Sequence, residues 1–178
     1  LDANATEPLR PEARTAVLAA LDLGGNASSI HGAGRAARGV IERARAAIAA
    51  RAGAEPGDVI FTSGGTEANA LAVHALNQGR RVLVGATEHA AVRAAAPGAE
   101  SLPVHADGTL ALEALEAALR SGPPALVCAM AANNETGVRH PTTEVVALCA
   151  THGALLHVDA VQAARAGALP RADIDGRL

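Results

Sequence analysis

Four short polar segments in this chain carry side chains whose types could hold an anion and move a proton beside it. In Thr62-Ser63-Gly64-Gly65-Thr66-Glu67-Ala68-Asn69, paired glycines precede a threonine able to start a helix. Glycines let the backbone approach a ligand closely, and the free N–H groups of a helix start favour an anion. Each such contact is worth about 0.3–1 kcal/mol at a surface, so several are needed to hold a phosphate. A plain turn capped by Ser or Thr would look similar. The spacing fits neither a P-loop, which requires Gly-Lys-Ser/Thr, nor a dinucleotide fingerprint. In Thr87-Glu88-His89, the imidazole of His89 could stack on a planar ligand or shuttle a proton. His74, His105, His140 and His152 read as histidines without such a role. Asn133-Asn134-Glu135-Thr136-Gly137 adds a third dense polar run. Asp159 ends the apolar run around Leu155-Leu156-His157-Val158, where a carboxylate must be neutral, hydrogen-bonded or paired with a cation. It could simply cap the next helix. A cationic ring nitrogen would be a better partner, with Gln162 one turn away to meet another polar atom of the same ring.

These residues need elements to position them, and the hydrophobic pattern supplies a set. Helical spacing covers 9–21, a Gly/Ser-rich loop 22–34, and a longer helix 35–52. Strand and helix then alternate: strand Val59-Ile60-Phe61, helix 66–78, strand Val82-Leu83-Val84 and helical spacing from about 88. A weaker strand at 100–104 leads to a turn at Asp107-Gly108 and a helix over 110–120. Strand 125–131, helix 142–152 and strand 154–158 complete the series. Short apolar strands separated by helices predict an α/β fold, a mainly parallel sheet with helices on both faces. In such sheets ligands sit beyond the C-terminal ends of the strands, where the four polar segments fall.

Composition narrows the class. The chain has 178 residues, enough for a sizeable core, and one domain is the default. Hydrophobic residues make up 49% of it, much of that alanine, and Phe61 is the sole aromatic residue. A net charge of −3 without basic, aromatic-laced stretches argues against nucleic acid. No apolar run matches a membrane span and no signal pattern opens the chain, so a soluble cytoplasmic protein is expected. Cys128 and Cys149 are too few for a disulfide framework or a zinc site, and no metal is expected. All 15 basic side chains are arginine.

Taken in order, the segments resemble the cysteine desulfurases, within the fold-type I pyridoxal-phosphate enzymes of the class V aminotransferase family. The resemblance rests on Leu1-Asp2-Ala3-Asn4-Ala5-Thr6 and on Asn26-Ala27-Ser28-Ser29-Ile30-His31 with Gly34 and Arg38. It continues through Phe61 to Asn69, Thr87-Glu88-His89, Asn133 to Gly137, and His157-Val158-Asp159-Ala160-Val161-Gln162. The form of several motifs is closer to the NifS/IscS-like branch than to the SufS-like one. Thr6-Glu7-Pro8 and Ala163-Ala164-Arg165-Ala166-Gly167 depart from the family pattern.

The resemblance implies pyridoxal 5'-phosphate as cofactor. Gly65 and Thr66 would contact its phosphate, and His89 would stack on its ring and take part in proton movement. Asp159 would pair with the pyridinium nitrogen, Gln162 with the ring oxygen, and Asn134 would lie near the substrate carboxylate. The implied reaction removes sulfur from L-cysteine or a similar small amino acid, leaving alanine and an enzyme persulfide, in iron-sulfur cluster biogenesis. A homodimer and a sulfur-acceptor protein are implied partners. Residues 1–30 would contribute to the cofactor-site region and 31–178 would be the N-terminal part of the large pyridoxal-phosphate domain. The Ser-Gly-His-Lys motif with the Schiff-base lysine, the persulfide cysteine, the substrate-carboxylate arginine and the small C-terminal domain would lie past Leu178. With no lysine among the 178 residues, the chain itself offers no amino group to an aldehyde cofactor. Cys128 and Cys149 read as structural thiols. Alternatives are another class V enzyme, a small amino acid aminotransferase or selenocysteine lyase, or a lysine-free non-catalytic paralogue acting as a scaffold.

Overall fold

A computed structural model describes residues 7–163. The chain divides into two compact units, Leu1–Phe61 and Thr62–Leu178. In the first, α1 (Pro11–Leu21) starts with proline, whose missing N–H costs nothing at a helix start, and it buries none of its residues. Helix α2 (Gly32–Ala52) is capped by His31, whose Nδ1 accepts the Gly34 N–H at 3.3 Å. It stops at Gly53, whose positive φ of 72° places the chain in the left-handed region. A 3₁₀ turn, Pro56–Asp58, follows.

The expected strand at Val59-Ile60-Phe61 does not form. The segment is extended but joins no ladder among the described residues, with Ile60 71% and Phe61 46% exposed. Instead the Arg45 guanidinium donates to the Val59 carbonyl and lies 4.9 Å from the centroid of the Phe61 ring. Three apolar residues make a strand only when a neighbouring strand takes up their N–H and C=O groups.

The second unit has the predicted α/β architecture. Its elements are α3 (Gly65–Asn77), β1 (Arg81–Gly85), α4 (Ala90–Ala95), β2 (Glu100–Leu102), α5 (Leu112–Arg120), β3 (Ala125–Cys128), α6 (Thr142–Thr151) and β4 (Leu155–His157). Among the described residues the sheet is four-stranded, in the order β2-β1-β3-β4, and every pairing is parallel. Alternation along the strands divides the core in two. Leu83, Val127 and Leu156 meet Leu115, Leu119, Val145 and Cys149 of α5 and α6. Val82, Val84, Leu126, Cys128 and Leu155 meet Val73 and Val92 of α3 and α4. Each fully buried Leu or Val contributes about 1.5–3 kcal/mol. The Asp107-Gly108 turn forms as expected, with Asp107 Oδ1 accepting the Thr109 N–H at 2.9 Å and Gly108 at a φ of 86°. Among the described residues no helix is long and apolar enough to cross a membrane.

Candidate active site

From β1 the chain passes to β2 on one side of the sheet and then to β3 on the other. That reversal opens a crevice beyond the C-terminal ends of β1 and β3. Two side chains stitch it. Glu88, leaving β1, accepts the Met130 N–H at the exit of β3 through Oε1. Asn133, beyond β3, donates from Nδ2 to the Thr87 carbonyl at 3.1 Å, and its Oδ1 accepts the Glu135 and Thr136 N–H groups at 2.9 Å each. Glu88 is 3% exposed, and its Oε2 meets no hydrogen-bond donor among the described residues. Burial pushes its carboxyl up to about 7; the Met130 N–H opposes that rise and the nearby Asp159 charge adds to it.

Beyond β4 the extended pairing continues, with Ala129 donating to the His157 carbonyl at 3.0 Å and Ala131 to that of Asp159 at 2.9 Å. Residues two apart on an extended chain share a face. Leu155, His157 and Asp159 therefore all turn toward α3, where Leu155 packs in the apolar cluster and the two polar groups meet Asn69. Asn69 precedes Val73 by one helical turn on the buried face of α3. Its Nδ2 donates to Asp159 Oδ2 at 2.8 Å, and its Oδ1 lies 2.9 Å from His157 Nε2. The Val161 N–H completes the set by donating to Asp159 Oδ1 at 3.0 Å. Asp159 is 8% exposed and forms no ion pair with any described Arg or His. Burial holds the His157 ring below the usual histidine range, with Asp159 pulling the other way.

The predicted site residues fall as follows. Gly65 and Thr66 open α3, whose N-cap Gly64 makes no side-chain cap, so among the described residues its first N–H groups are open to an anion. A Cβ on Gly65 would come within 3.3 Å of Val161 Cγ2, so the glycine loop and the Asp159 turn are in contact. Ser63 N–H is spent on Glu67 Oε2 at 2.6 Å, and hydrogen bonds from the Ser63 side chain and then its backbone lower the Glu67 carboxyl. His89 caps α4 by accepting the Ala91 N–H on Nδ1 at 3.1 Å, which leaves Nε2 to carry the ring proton. Asn134 and Gln162 are half-buried in the turns after β3 and β4. Asp159 is tied directly to the α3 region, whereas His89 and Asn134 reach the same sheet edge through Glu88 and Asn133. Burial pushes the Cys128 thiol up to about 12 and Cys149 up to about 11, so neither is a nucleophile at neutral pH.

The bridging role of the Asn69 amide, the place of His157 beside it, the stitch through Asn133 and the bare oxygen of Glu88 do not follow from residue type or spacing. A signal existed for Asn69, since it occupies a core-facing helical position four residues before Val73.

A buried carboxylate with donors on both oxygens and no cation beside it among the described residues, close to a helix start whose N-cap is glycine, fits a ligand with a cationic group at one end and an anion at the other. Comparison with known proteins places that arrangement in a family. The chain is 45% identical over 177 residues to a cysteine desulfurase of Cereibacter sphaeroides, across 92% of this chain and 46% of that protein. It is 41% identical over 187 residues to an IscS-like cysteine desulfurase of Mycobacterium tuberculosis, across 96% of this chain and 47% of that protein. Among solved structures, the NifS-like protein of Rickettsia africae superposes with a TM-score of 0.85 at 32% identity, over 92% of this chain and 48% of that one. The chain thus spans about half the length of the curated relatives it matches. The sequence profile described as Aminotransferase class-V matches residues 1–175, and the chain belongs to that family.

Proposed function

We propose that the full-length protein is a pyridoxal-phosphate-dependent cysteine desulfurase, converting L-cysteine to L-alanine and an enzyme-bound persulfide. The observation that carries this reading is Asp159, a buried carboxylate held by Asn69 and Val161 with no described cation paired to it. A protonated pyridine nitrogen supplies the missing charge, and a group of that kind fits where a lone buried carboxylate is costly. When bound, the cofactor provides an electron-accepting ring for chemistry at the substrate Cα.

In this reading Asp159 would keep that ring protonated, and the first N–H groups of α3 at Gly65 and Thr66 would bind the phosphate. His89 would stand by the ring with a proton on Nε2, since its Nδ1 is occupied by the Ala91 N–H. Gln162 binds the ring oxygen and Asn134 orients the substrate carboxylate. Residues 1–178 contain no lysine, so borohydride reduction leaves no cofactor adduct on them, which peptide mapping of the reduced protein checks. A homodimer, a sulfur-acceptor protein, a role in iron-sulfur cluster assembly and a cytoplasmic setting belong to the same reading as what the family resemblance implies.

The test is turnover of L-cysteine by the purified full-length protein with a thiol reductant present to release the persulfide sulfur, measured as alanine and sulfide. Cofactor-dependent release of both, abolished in Asp159→Ala with the fold intact by circular dichroism, is the expected result. Wild-type activity in that variant overturns the reading.

A further inference from the structure

We propose that Asn69 and His157 form a two-residue relay that positions the Asp159 carboxylate for the cofactor ring. The inference rests on the reading of Asp159 given above. Its geometry is chemically directional. Turning the Asn69 amide over would set its oxygen against a carboxylate oxygen, so Nδ2 must face Asp159 and Oδ1 must face His157. Oδ1 can only accept, and His157 therefore carries its proton on Nε2 and donates it. The chain of donors runs one way, from imidazole to amide to carboxylate, and each bond polarises the next.

The relay leaves Asp159 little freedom. Oδ2 is fixed by a side chain from α3, and Oδ1 is fixed by the backbone of Val161 two residues on. The carboxylate plane is then set by two elements at once, the helix that opens with Gly65 and the turn that leads to Gln162. A ligand gripped at α3's first turn and at Asp159 meets two groups that Asn69 holds in register, since that residue lies on the same helix, four positions after Gly65. His157 touches no ligand in this scheme. It keeps the amide turned the right way, and burial favours the neutral ring in which Nε2 is the single donor.

Equilibrium binding of pyridoxal phosphate to the full-length apoprotein tests the relay, together with the ¹⁵N resonance of the ring nitrogen in cofactor labelled there. Asn69→Leu should raise the Kd about tenfold or more, the range for a lost hydrogen bond to a charged group. It should also displace the ring-nitrogen resonance from its wild-type position. His157→Leu should raise the Kd about threefold, whereas His157→Gln, whose amide nitrogen can replace Nε2 as donor, should return to within about twofold of wild type. A merely structural role would make both His157 variants equally poor and leave the resonance in place. Wild-type Kd and resonance in Asn69→Leu and His157→Leu, with Asp159→Ala binding poorly, overturn the relay alone. Unchanged binding in Asp159→Ala overturns the reading of the site as well. Should Asn69→Leu fail to fold, the contrast between His157→Leu and His157→Gln decides the matter alone.

Discussion

Glu88 and Asp159 are two buried carboxyl groups at the exits of β1 and β4, the two strands that flank β3 in one sheet, and the protein treats them differently. Asp159 receives two N–H donors, one on each oxygen. Glu88 receives one, from Met130, and its second oxygen is bare among the described residues. Depth does not separate them, since both are under one-tenth exposed. What separates them is the number of donors the surrounding backbone and side chains deliver. A carboxyl left one donor short answers burial by holding a proton, and Glu88 is pushed up to about 7. Asp159 instead has a donor on each oxygen. One site thus gives the same functional group two different hydrogen-bond environments.

Turnover should break the pair apart most clearly. In the full-length protein, Asp159→Ala should lower the rate with L-cysteine about a hundredfold or more, the scale of losing one preorganised electrostatic partner. Glu88→Gln, which keeps a carbonyl for the Met130 N–H, should lower it less than about tenfold. Equal losses in the two variants would show that the carboxyls act as one unit and would remove the distinction.

Stability against pH is the next largest effect. The folded state favours the protonated form of Glu88, so its contribution is present below the ordinary carboxyl value of 4.5 and is lost as pH rises toward about 7. Integrated over that window the loss is on the order of 3 kcal/mol. Glu88→Gln should flatten this decline, and urea unfolding midpoints from about pH 5 to about pH 8 would show it. An unchanged slope would mean that Glu88 is ionised in its pocket. His157 acts with the opposite sign. Its folded value is lowered, so protonation favours the unfolded state and stability falls as pH drops below the ordinary histidine value of 6.5. His157→Gln should remove that acid-side loss and leave the Glu88 decline untouched.

The contrast between the carboxyls also marks what a linear reading could reach. The alternation of Val82-Leu83-Val84 and the run Ala125 to Cys128 announce buried strands, because a parallel sheet covered on both faces leaves no polar positions between its ends. Asp159 was legible for the same reason, as a charge at the end of such a run. Its partner was not. Asn69 meets Asp159 across 90 residues of sequence, and only the packing of α3 on the sheet brings the two together. Glu88 is visible in the sequence as the neighbour of His89, while its own environment depends on where the β3 exit lies. The misplaced strand at Val59-Ile60-Phe61 has a related cause. Apolar composition signals burial, but Arg45 uses the Val59 carbonyl and the Phe61 face for a local contact, and no described strand pairs with the segment.

The smallest expected effect probes a single donor of Asp159. Gly65→Ala places a Cβ at 3.3 Å from Val161 Cγ2, closer than comfortable contact. Two responses are open. If the exposed Val161 side chain turns aside, the substitution keeps only the gain from restricting the unfolded chain at a helical position, about 0.4–1 kcal/mol. If the backbone of Val161 retreats instead, its N–H moves off Asp159 Oδ1 and the carboxylate drops to the single-donor condition of Glu88. The side chain is 59% exposed and has room to rotate, so the first response should prevail. The melting temperature should then rise slightly, while the Kd for pyridoxal phosphate should rise by less than about threefold, since one added methyl leaves the α3 N–H groups in place. A fall in melting temperature accompanied by a tenfold loss of binding would show that the Val161 donor is the weaker of the two holds on Asp159, and that the two carboxyls differ by one fragile hydrogen bond.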